Sequence, residues 1–183
     1  PPGWAAVTPW RRDGDTWHVG VRGAPLAEAL LWSALGFGRF DESRLDLFGT
    51  TFRFEIEQGI PALERAEVLA AYHAIIQRVT AAFGRGLGSE YVVVIAPPAA
   101  NGDELMPEGW ATGTGGTLAP LTTARARNVA SGIVDAYLTQ QPYRTTVRDA
   151  KEKWIVDGVS HLLPWRALEA AGLSRREDLE RWL

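Results

Sequence analysis

Four polar residues set in two apolar stretches could do chemistry. In "ARNVASGIVDAYL", residues 126–138, Ser131 and Asp135 stand four apart, and Gly132 sits between them. In "KWIVDGVSHLL", residues 153–163, Asp157 and His161 are also four apart, with Gly158 alongside. Residues four apart on an α-helix share a face. A carboxylate inside an apolar helix needs a partner or takes a raised pKa. A helix-interior glycine costs about 1 kcal/mol relative to alanine. Several local rules broken together mark function or close packing. If the two segments pack as helices, Ser131, Asp135, Asp157 and His161 converge. A desolvated aspartate beside a second one suits a general acid, and an imidazole suits a base or an orienting partner. The same two carboxylates and one imidazole could instead hold a hard divalent ion. Plainer readings stand beside these. Asp157 and His161 can form a surface pair, Asp135 can pair with Arg144 or Arg148, and Gly132 can let helices approach closely. His18, on a short strand, and His73, on a long helix, are read as structural or solvated.

The elements that must position these residues follow from periodicity. "PPGWAAVTPWRRDGD" is rich in Pro and Gly and reads as irregular, and "TWHVGVRG" as a short strand. "PLAEALLWSALG" reads as a helix with Pro25 near its start and Gly36 past its end. "TFRFEIEQG" alternates Phe52, Phe54 and Ile56 with Arg53, Glu55 and Glu57, which predicts a half-buried strand with one wet face. Residues 62–83 carry Leu69, Tyr72, Ile76, Val79 and Phe83 at helical spacing. "EYVVVIAPP" reads as a buried strand stopped by two prolines. "GWATGTGGTLAPL" reads as a glycine-rich edge strand, followed by a helix over 122–138. A polar loop precedes "KEKWIVDGVSHLLPWRALEAAGL", which is expected to be helical with an interruption near Pro164. Ser174 and Glu177 form a capping-box pattern at the start of the last segment. This order of elements predicts an α+β domain with a small sheet packed against helices.

Composition narrows the function. The chain has 183 residues, enough for one domain with a sizeable core, and no linker is expected. A formal net charge of -3 with scattered basic residues gives no footprint for nucleic acid or an anionic membrane. No apolar run is long enough to span a bilayer. Cysteine is absent, which removes disulfides, thiol nucleophiles and cysteine-bound zinc but does not fix the compartment. The 8 Trp are many for this length and are expected chiefly in the core, with some left to line a pocket. The chain begins at Pro1, and no secretory leader is read in its opening residues.

The ordered set "GWATGTGGTLAPL", "VASGIVDAYL", "KWIVDGVSHLL" resembles the core of the peptidase-MA-like, or gluzincin, zinc metallopeptidases. The resemblance covers roughly residues 90–170. It implies a zincin-like fold: a small mixed sheet with a glycine-rich edge strand, packed against helices. It also implies a single domain over 1–183, with 1–60 an N-terminal strand and helix elaboration and 61–183 the core. The family's HExxH motif supplies two zinc-binding histidines and a general-base glutamate. Placed on this chain, the first histidine falls on Ser131, the glutamate on Gly132 and the second histidine on Asp135. The third ligand, a glutamate in the family, falls on Asp157. The chain therefore looks like a degenerate member that lacks the base. Zinc hydrolysis of a peptide needs a polarised water and a group to take its proton, so ordinary metallopeptidase activity is not expected.

Three functions remain open. The first is a repurposed, non-proteolytic enzyme acting on a small molecule by hydrolysis, elimination or cyclisation. Asp135, Asp157 and His161 would be its catalytic residues, and Ser131, Gly132, Thr114, Gly115 and Gly116 would bind substrate. It calls for no metal and no cofactor. The second is a catalytically dead pseudo-peptidase that binds peptide or protein by strand addition along "TGTGGTLAP". The third is a remodelled Asp/Asp/His metal site. The partner expected is a small molecule or a peptide, with neither nucleic acid nor membrane.

Overall fold

A computed structural model describes residues 2–8, 10–18, 36–96, 111–112, 116–120, 126–139, 150–177 and 180. Two short antiparallel strand pairs open the described structure. Strands β1 (Ala5–Val7) and β4 (Gly36–Gly38) pair antiparallel, as do β2 (Arg11–Asp13) and β3 (Thr16–His18). The opening segment read as irregular thus contains two strands, and "TWHVGVRG" is a strand at Thr16–His18. The helix expected over "PLAEALLWSALG" lies outside the described residues, except that Gly36 belongs to β4.

The main sheet has five strands in the order β5-β6-β7-β9-β8. Strands β5 (Phe40–Leu47) and β6 (Thr50–Glu57) form a hairpin. Its two-residue turn puts Phe48 at φ 48° and Gly49 at φ 80°. Positive φ at both central positions matches the twist of paired strands. Periodicity does not announce β5, because only Leu45 and Leu47 follow Phe40 as apolar residues, at an edge that needs one apolar face at most. Strand β7 (Glu90–Ala96) runs parallel to β6 and to β9 (Gly116–Pro120), and β8 (Ala111–Thr112) closes the far edge antiparallel to β9. The glycine-rich segment therefore makes two strands. The outermost strand on that side, among the described residues, is Ala111–Thr112, and Gly116–Pro120 lies inside it.

Helix α1 (Ala62–Phe83) matches the periodic segment to the residue. It stops at Gly84, whose left-handed φ of 65° lets its N–H reach the Thr80 carbonyl at 3.0 Å. Helices α2 (Ala126–Thr139) and α3 (Ala150–Ala170) follow. Pro164 does not interrupt α3. Proline removes one backbone donor, but Pro164 is itself buried beside Ala167 and Leu168, so tertiary packing overrides the local penalty. Helix α2 packs against α1, α3, β8 and β9.

One face of the sheet and the three helices share a core. Phe52, Phe54, Tyr91, Val93 and Ile95 meet Tyr72, Ile75, Ile76, Val129, Ile133 and Tyr137 there. The opposite face is less wet than alternation predicts. Val92 and Val94 are covered by Val7 and Phe40. Glu55, expected to face water, is 5% exposed and pairs with Arg53, which also reaches Glu90 at 3.0 Å. Burial pushes the Glu55 carboxyl up, opposed by Arg53.

Candidate functional site

The site is built on α2. Ala126, Val129, Ala130, Gly132, Ile133, Val134, Ala136 and Tyr137 are buried. Arg127, Ser131 and Leu138 are half-buried, and Asp135 is exposed. Arg127, Ser131 and Asp135 follow in steps of four, so these polar residues form one accessible stripe along a helix otherwise packed into the core. Tertiary contacts fix the rotation of the helix. Tyr137 stacks on Phe83 with ring centroids 4.4 Å apart, and its hydroxyl donates to the Arg85 carbonyl at 2.9 Å. That anchors the C-terminal half of α2 over the loop that leads into β7.

The pocketed aspartate expected from the sequence is not observed. Asp135 lies on the accessible stripe, so burial, the premise for its acting as a desolvated acid, is absent. Gly132 is buried and off that stripe, which fits close packing better than a substrate opening. Ser131 lies one turn before Asp135 on the same stripe.

On α3, His161 is exposed. Gly158 is exposed too, and a β-carbon there would meet nothing within 4 Å, so packing does not demand a glycine. Asp157 falls within α3, but its side chain lies outside the described residues. Thr114 and Gly115 also lie outside them, while Gly116 opens β9 and pairs with Thr112 and Val92. Among the described residues no group of three His, Asp or Glu side chains is arranged to hold a metal.

One link between the two helices was missed in the sequence. The Arg127 guanidinium lies 5.0 Å from the centre of the Trp165 ring, within cation–π range. Each partner is one turn beyond a polar pair: Arg127 is four before Ser131, and Trp165 is four after His161. Extending both i, i+4 series by one step would have found them.

No protein-family model matches the chain, and no curated protein matches it by sequence. Among solved structures it is similar to an aminopeptidase N family protein from Idiomarina loihiensis, with a TM-score of 0.64 at 12% identity. The match covers 97% of this chain and 33% of that one, so the chain spans about a third of the neighbour's length. At that identity the likeness is one of fold. The chain is a mixed α+β protein whose fold is similar to that part of the neighbour. No described helix is long and apolar enough to cross a membrane.

Proposed function

We propose that the chain is a non-proteolytic enzyme on a degenerate metallopeptidase fold, using the α2–α3 surface for acid/base chemistry on a small molecule. The observation that carries this reading is the Arg127–Trp165 contact, because it sets a register. Beyond Trp165, α3 has five more residues, rising about 7.5 Å, whereas α2 continues for twelve residues past Arg127, about 18 Å. The two helices pack against each other, and in this reading they run antiparallel, so that the part of α3 that precedes Trp165 accompanies α2. Counting in fours from the contact, Ser131 faces the level of His161, and Asp135 the level of position 157. In this reading Asp135 acts as a solvated carboxylate that orients or stabilises a cation, and the His161 imidazole moves the proton. The peptidase chemistry is lost because Gly132 offers no base where the family carries its glutamate.

The test is chemical-shift mapping with a panel of small esters, amides and hydroxy acids, followed by turnover assays on the compounds that bind. Binding that perturbs residues 131, 135 and 158–161 is expected, with turnover lost in Asp135→Asn and His161→Gln. Full activity in both variants would overturn the assignment. Zinc, manganese and iron added singly, with elemental analysis, distinguish the metal-dependent version of the same site.

A second reading is peptide capture by strand addition. It is favoured by β8, a two-residue outer strand paired with β9 on one side, with no described strand on the other. An extended peptide that perturbs residues 111–112 but not the α2 stripe would favour it.

A further inference from the structure

Where α1 packs on α3, a recess of ≈ 150 Å³ is left between the helices. Val79 and Ala167 are buried in its wall, Leu163 is half-buried, and Arg78, Ala82 and Arg166 stand exposed around it. The hollow follows from the residues that meet there. Arg78 and Ala82 are four apart on α1, as are Leu163 and Ala167 on α3, so each helix turns one alanine toward the other. Small side chains on both sides leave a gap that close packing would otherwise fill. The lining is apolar except for two guanidinium groups, and no acidic side chain belongs to it. Arg78 makes no ion pair among the described residues. Arg166 donates to Glu169 at 3.3 Å through one terminal nitrogen, in a pair open to solvent and therefore weak.

We propose that this recess binds a short aliphatic carboxylate. Its tail lies against Val79, Ala82, Leu163 and Ala167, and its head group between Arg78 and Arg166. A guanidinium presents a planar fork of N–H donors that matches the two oxygens of a carboxylate. Two cations beside one apolar hollow suit a ligand that is anionic at one end and apolar at the other. The volume limits the tail. A water's share of the liquid is about 30 Å³, so there is room for about five such volumes, or a chain of about four carbons. The recess is separate from the α2 stripe. On α3, Trp165 is turned to Arg127 of α2, whereas Leu163, Arg166 and Ala167 line the side that meets α1. The proposal therefore does not rest on acid/base chemistry at that stripe.

The experiment is an NMR titration of the full chain with sodium butyrate, read from amide shifts, against sodium chloride and n-butanol at equal concentrations. Saturable shifts at residues 78–82 and 163–167 are expected with butyrate and not with the other two. Arg78→Gln and Arg166→Gln lie at exposed helix positions, where the fold should tolerate them. Each should weaken butyrate binding about tenfold, because one charged hydrogen-bonding group is lost. Ala82→Leu should fill the recess and abolish the saturable shifts, with the melting temperature unchanged or raised. Butyrate shifts no different from those of chloride would overturn the proposal. So would undiminished binding in both arginine variants with circular dichroism matching the wild type. Inorganic phosphate that bound as tightly as butyrate and survived Ala82→Leu would also overturn it, since the apolar walls would then contribute nothing.

Discussion

The rotation of α2 can be tested by comparing two neighbouring positions on it. Ile133 is 0% exposed and sits among the core residues of the sheet and helices. Replacing it with alanine deletes buried methyl and methylene groups at a site where close packing limits collapse, for a loss of about 2–5 kcal/mol. Asp135, two residues on, is exposed. Asp135→Ala gains up to about 0.7 kcal/mol in helix propensity, offset by whatever surface interaction the carboxylate makes, so the net change should stay within about 0.5 kcal/mol. In melting temperature, Ile133→Ala should fall by roughly 4–20 °C, and Asp135→Ala should hardly move. Urea unfolding followed by circular dichroism gives the free energies, and the slope against urea shows whether the transition stays of one kind. If Asp135→Ala proved as damaging as Ile133→Ala, Asp135 would be a buried carboxylate. The accessible stripe, and the site built on it, would then be wrong.

Other consequences can be checked on the same samples. Thr50 is buried; its hydroxyl donates to the Gly88 carbonyl at 2.6 Å and accepts from the Leu87 N–H at 2.8 Å. Thr50→Val should therefore cost about 1–3 kcal/mol in urea unfolding by stranding both groups. Gly86→Ala should be severely destabilising, because its β-carbon would come within 2.2 Å of the Thr50 hydroxyl and 2.7 Å of the Phe48 carbonyl, read as loss of soluble folded protein. The Glu55 carboxyl is raised above its unfolded value, so the folded state holds its proton more tightly. That contribution to stability is lost as pH rises from the ordinary glutamate range through the folded value, and Glu55→Gln should remove this fall from the stability–pH curve. His73, whose ring is tilted against that of Phe54 with centroids 4.6 Å apart, has its pKa lowered by burial. The unfolded state therefore binds its proton first, and stability drops as pH falls below about 6.5; His73→Phe should flatten that limb in thermal melts at pH 5–7.

Local order was legible wherever periodicity was strong. Helix α1 carries apolar residues at helical spacing and a glycine just past its end, and both boundaries follow from those features. The run "YVVVI" names a strand buried on both faces, as β7 is. The polar pairs on α2 and α3 were visible as spacing alone, and that was enough to nominate Ser131, Asp135, Asp157 and His161. Helical spacing states which residues share a face, but it does not state which face meets the core. The same pattern served a buried Asp135 and an exposed one equally well. Only the packing of Tyr137 on Phe83 and its bond to Arg85 turned α2 so that Ile133 went inward and Asp135 outward. In the same way the alternation of β6 marked Glu55 as polar, but its burial depended on elements distant in sequence, which cover that face of the sheet. Sequence sets the period of an element through backbone geometry. Its orientation is a property of the neighbours it packs against, and those are brought together only by the folded chain.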